Sequence, residues 1–174
     1  MDLQSLQNQL ERQNRAPTEL WNPPYCGEMD LVIKSDGSWW HEGSKINRLA
    51  LIKLFASVIT LQDDKYYLVT PAEKVGITVE DLPFLVTSWK WHQEQDSQLM
   101  HMLVETNIEE RYIIGEEHPI VIDKELPAVK LRDNLLARVH RNVYYQWSDH
   151  VQPANKGEDA GYYLQSGSQR FKLD

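Results

Sequence analysis

From Lys65 onward, hydrophobic and polar positions alternate with period two. "YYLVT", then Val75, Ile77 and Val79, then "FLVTSWKW" and "QLMHMLVE" each place every second side chain on one side of an extended chain. This pattern predicts a meander of antiparallel strands, continued at "ERYIIG", "HPIVID" and "PAVKLR". Upstream, "MDLVIKSDGSWWHEG" predicts a hairpin about Asp36-Gly37, because Asp-Gly suits the positive φ angles of a two-residue turn. Two stretches follow the helical period instead. "INRLALIKLFASVI" aligns Leu51, Phe55 and Val58, and "DNLLARVHRNVYYQW" aligns Leu136, Val139, Val143 and Trp147. Leu3, Leu6 and Leu10 predict a short amphipathic helix ending before Pro17. "APTELWNPPYCG" reads as an irregular loop anchored by Trp21 and Tyr25, and residues 148–160 read as a flexible loop. "GYYLQS" and "RFKL" close the chain as a hairpin around Gly167.

The two halves also echo each other. Leu31-Val32-Ile33 precedes Arg48 at nearly the distance at which Ile120-Val121-Ile122 precedes Arg138, each arginine is followed by an aromatic, Phe55 or Tyr145, and each helix by Tyr-Tyr-Leu, at 66–68 and 162–164. The expectation is an α+β fold with a duplicated core of two β-rich units, each with one main helix. The repeats span 29–84 and 118–173. The expected organisation is a helix and loop over 1–28, a first unit with a meander extension over 29–117, and a second unit over 118–174.

Six Trp and eight Tyr in 174 residues supply enough apolar mass for a core. A net charge of -8 argues against nucleic acid or an anionic membrane as partner, since both require a basic surface. No stretch approaches the ~18 apolar residues of a membrane span, and no leader-like segment opens the chain, so a cytoplasmic protein is expected. Cys26, the single cysteine, suits a reducing compartment and is expected to be buried.

Candidate chemistry is sparse. The six histidines lack metal-ligand spacing, no nucleophile motif or phosphate loop is present, and neither a catalytic residue nor a cofactor is assigned; the balance is against an enzyme. Between Tyr66 and Phe84 lies a polar cluster of Thr70, Pro71, Glu73, Lys74, Glu80 and Asp81. It reads either as turn punctuation or as paired carboxylates for acid–base work. Ser166-Gly167-Ser168 reads as a hairpin turn or as an anion-binding nest. Arg48 is expected on the apolar side of its helix with a carboxylate or a ligand as partner. Arg138, Arg141 and Tyr145 are expected together on the second helix, where Lys130 and Arg132 complete a local basic concentration: a solvated face or a phosphate-binding one.

"WNPPYCG", "DGSWWHEGSKINR", "LVTPAEKVGITVEDLPF", "VKLRDNLLARVHRNVYY" and "SGSQRF" together resemble the bacterial domain-of-unknown-function 1285 family, over essentially everything after the N-terminal helix. The sequence departs from the family pattern at Ser168, where a second terminal-loop glycine is expected. The resemblance implies a duplicated α+β core with a pleckstrin-homology-like second unit and a ligand site at the interface of the units. It further implies nucleotide-like ligands and a signalling role. On this reading Arg48, Arg132, Arg138, Arg141, Tyr145, Ser166 and Gly167 are the candidate ligand-binding residues of a sensor module. The competing expectation is a protein-interaction module without a small-molecule ligand, anchored by exposed Trp and Tyr.

Overall fold

The computed structural model describes residues 16–174, so the helix expected from Leu3, Leu6 and Leu10 lies outside the described residues. The described chain divides into two compact units, 16–83 and 84–174. The break expected at 117/118 falls inside the second of them, between two strands of one sheet.

In the first unit a 3-10 turn (Thr18–Leu20) leads into β1 (Tyr25–Ile33), β2 (Trp39–His41) and β3 (Ser44–Lys45). Helix α1 (Leu49–Ala56) follows, then β4 (Ile59–Gln62), β5 (Lys65–Val69) and β6 (Lys74–Val79). The six strands form one sheet in the order β3-β2-β1-β6-β5-β4, antiparallel throughout except where β1 and β6 run parallel at its centre. Leu31, Ile33, Trp39, Ile59 and Leu68 form its buried side.

The second unit begins with β7 (Phe84–Gln93), β8 (Met100–Thr106) and β9 (Arg111–Ile113). It continues with β10 (Ile120–Asp123), β11 (Leu126–Arg132) and β12 (Leu135–Val139). Their order is β10-β11-β12-β7-β8-β9, with β12 parallel to β7. Helix α2 (Arg141–Ser148) comes next, then a three-stranded sheet of β13 (Gln152–Pro153), β14 (Tyr162–Ser166) and β15 (Gln169–Lys172). Phe84, Val86, Met102, Leu135 and Trp147 are among its fully buried side chains.

Each unit therefore contains the same arrangement: two three-strand meanders whose first and last strands meet in parallel. This is a duplicated α+β core, in a register different from the expected one. Ile33 lies in the first strand of its sheet and Ile122 in the fourth, while α1 follows the third strand and α2 the sixth. The corresponding elements are 25–79 and 84–139. Turn geometry supports this pairing: β4–β5 turns at Asp63-Asp64 and β10–β11 at Lys124-Glu125, all four residues left-handed. The second Tyr-Tyr-Leu belongs to β14, outside the repeat.

Local chemistry explains several further outcomes. Asp36-Gly37 is the expected turn: Asp36 accepts from the Ser38 backbone N–H at 2.9 Å, and Gly37 has φ of 85°. Thr70 Oγ1 accepts from Glu73 N at 3.1 Å, and Glu80 Oε2 accepts from Ser35 N at 2.9 Å, so the polar cluster at 70–81 is turn chemistry. Cys26 is exposed instead of buried, with Sγ 3.3 Å from the Pro24 carbonyl, because β1 is irregular beside Gly27, where φ is 98°. Tyr25, expected to anchor a loop on the core, is 55% exposed at the start of β1.

Candidate functional site

The expected second helix is half strand. Leu135–Val139 pairs with β11 and β7, because Asp133-Asn134 makes a two-residue hairpin turn with Asp133 at φ 48°. The helix starts only after His140, whose imidazole accepts from Asn142 N. Arg138 consequently belongs to the sheet. It is 8% exposed, its Nη2 donates to Asp123 Oδ2 at 2.6 Å, and its Nη1 donates to the carbonyls of Asp123 and Leu126. This guanidinium clamps the β10–β11 turn, and its charge is already compensated.

The other candidate arginines stand on different elements. Arg132, at the end of β11, lies over the Phe84 ring with its guanidinium carbon 5.7 Å from the centroid. Arg48 is the exposed residue before α1, where its carbonyl accepts from Leu51 and Ile52; the helix begins one position too late to place it on the apolar face. It belongs to the first unit and the remaining candidates to the second.

Ser166 and Gly167 are likewise structural. Ser166 Oγ, 2% exposed, donates to the Ile114 carbonyl at 2.6 Å and accepts from Met102 N at 2.9 Å, fastening β14 to the large sheet. Gly167 turns the hairpin with φ of 59°, and a Cβ there would clash with the His101 ring. Side chain and backbone both serve this junction, and Gly167 turns the hairpin that the sequence predicts there.

Arg141 and Tyr145 remain together. They stand four residues apart, both exposed, on α2, with Tyr145 59% accessible and no ion pair to Arg141 among the described residues. Beside them is a group that the strand reading passed over. Trp89 and Trp91 alternate onto one face of β7, and their rings meet that of His150 edge to face, at 5.1 Å between the two indoles and 5.3 and 5.5 Å to the imidazole. Trp89 Nε1 donates to Gln146 Oε1 of α2 at 2.9 Å, which fixes the cluster against the helix. "SWKWH" carried the signal: two indoles at i and i+2 of a strand share a face.

The loop before β14 is pinned. Arg170 binds both carboxylate oxygens of Glu158, donates to Gln152 Oε1 and the Pro153 carbonyl, and stacks over Tyr163. The Arg170 bond, with help from Asn155 N, holds the Glu158 carboxyl below its usual range. A lowered folded value means that this contribution is present above the unfolded glutamate value of about 4.3 and is lost as pH falls through the folded one. Hydrogen exchange should show residues 149–161 protected at neutral pH and released as pH falls below the ordinary glutamate range, or at any pH in Arg170→Ala; unchanged protection in that variant would refute the clamp.

Among the described residues no group of three or more His, Cys, Asp or Glu side chains is placed to hold a metal, and no helix is long and apolar enough to cross a membrane.

Similarity to known proteins follows the same two units. No curated protein matches the chain. A crystal structure of a DUF1285 family protein from Silicibacter pomeroyi DSS-3 superimposes with a TM-score of 0.80 at 33% identity, covering 92% of this chain and 88% of that one. A second, from Shewanella baltica OS155, gives a TM-score of 0.57 at 27% identity over 70% of this chain and 91% of its own. Residues 16–82 match the N-terminal domain of the domain of unknown function DUF1285, residues 83–173 match the C-terminal domain of the same family, and the chain belongs to it.

Proposed function

We propose that the protein is a non-catalytic, cytoplasmic interaction module whose second unit docks a protein partner through the aromatic surface at α2. The observation that carries this reading is the Trp89–Trp91–His150 cluster. Its rings are held by one another and by Gln146, while Trp91 keeps 37% of its surface and the neighbouring Tyr145 59%. Rigid, half-exposed aromatics lose little entropy on docking and are the side chains that most often dominate interface energetics. The pleckstrin-homology-like character implied by the family resemblance belongs to the same proposal: a β-rich body followed by one helix that carries recognition residues.

The test places a photo-crosslinking amino acid at Tyr145 and compares capture with and without Trp91→Ala. A single cross-linked partner whose capture falls roughly thirtyfold in the variant is expected, the scale of losing a hot-spot side chain of ~2 kcal/mol. Equal capture by a folded Trp91→Ala protein refutes the reading.

A second reading, a sensor for a nucleotide-like ligand with a role in signal transduction, is supported by Arg141 and Tyr145, which offer a cation and a stacking ring on one helix face. It is tested with nucleotides against Arg141→Ala, a surface substitution that spares the internal pair of Arg138.

A further inference from the structure

We propose that the opposite face of β7, with β8 and β9, is a separate binding site for a small organic anion with a compact apolar body. Ser88, Glu105 and Arg111 are directly paired across the three strands, and Lys90 with Leu103 forms the next row on the same face. These residues line a groove of about 210 Å³. Its outer strands stand about 10 Å apart, two inter-strand spacings. The volume falls below the ~300–1,000 Å³ of sites for drug-sized ligands and suits a fragment-sized molecule.

Three features give the groove its chemistry. Its floor is Leu103, 7% exposed, which offers an apolar seat. On one wall Glu105 Oε2 accepts from Arg111 Nε at 2.6 Å. This bond orients the guanidinium, and no acceptor among the described residues takes Nη1 or Nη2, so a fork of donors remains to grip a carboxylate or phosphate in two places. On the other wall stand the Ser88 hydroxyl and the Lys90 ammonium, both exposed. Two cations against one carboxylate leave the groove one positive charge in a chain of net charge -8. Trp89 and Val104 complete the lining, and Trp89 also belongs to the aromatic cluster; the charged groups Lys90, Glu105 and Arg111 do not, so their substitutions test this site separately from the protein-docking surface.

Amide chemical shifts are followed during titration with phenyl phosphate and, separately, benzoate. Saturable shifts at Ser88, Lys90, Leu103 and Arg111 are expected, with affinity in the millimolar range or better. Arg111→Gln and Lys90→Gln, both surface changes whose spectra report folding, should each weaken binding roughly tenfold. Tighter binding of phenyl phosphate identifies a phosphate head group, and tighter binding of benzoate a carboxylate; either supports the site. No saturation below about 10 mM, shifts centred elsewhere, or equal affinity in both variants would overturn it.

Discussion

Arg138→Ala is expected to destabilise the second unit by about 3–5 kcal/mol, with the lower end favoured because Asp123 keeps 28% of its side-chain surface. Losing the guanidinium leaves the Asp123 carboxylate without its close partner, together with the carbonyls of Asp123 and Leu126 that bracket the β10–β11 turn. Urea denaturation of wild type and variant reads the difference, and the melting temperature should fall on the order of 10 °C. The double replacement Asp123→Leu with Arg138→Met should recover much of the loss, since an apolar pair removes both desolvation penalties. A change under ~1 kcal/mol in the single variant would mean that the pair is solvated. Arg138 would then return as a candidate ligand contact.

The second large effect is expected at Trp147. It is fully buried and with Val143 fixes α2 on the sheet, so Trp147→Ala should cost about 3–5 kcal/mol through lost burial and the cavity left behind. Trp147→Phe should cost much less: the indole Nε1 finds no acceptor among the described residues, and phenylalanine removes that stranded donor along with some volume. The two variants thereby separate packing from polar effects. Because Gln146 and Tyr145 ride on the same helix, the alanine variant should also lose partner capture at Tyr145. A protein that remained as stable as wild type would show that α2 is not held by this side chain.

Much of the fold was legible because its strands are half-buried, so that alternation survives in the sequence. Val75, Ile77 and Val79 and the Asp36-Gly37 turn behaved as their pattern dictates. The repeat register was not legible. Two-residue turns occupied by Asp63-Asp64 and Lys124-Glu125 lack the glycine that advertises a left-handed backbone, and the hydrophobic triplets at 31–33 and 120–122 resemble each other only because both are buried strands. Asp133-Asn134 suits a helix start by composition but makes a hairpin turn, which places Arg138 on a strand. The aromatic cluster escaped for another reason: His150 reaches Trp89 and Trp91 across a long stretch of chain, a contact that no local spacing encodes.

The parallel pairing of β1 with β6, and of β7 with β12, governs how the molecule can be made. In both six-stranded sheets the central ladder joins the first strand synthesised to the last of that sheet, so neither can close until its whole length has left the ribosome. Such distant pairing pays its loop-closure entropy before any contact rewards it, which makes it a slow step. During that interval the inner edges of β1 and β7 lack their eventual neighbours, and open strand edges invite pairing with other chains. Vectorial synthesis limits the hazard, because residues 16–83 can complete their sheet before the partner strand for β7 exists, and the two similar halves need never compete for the same edge.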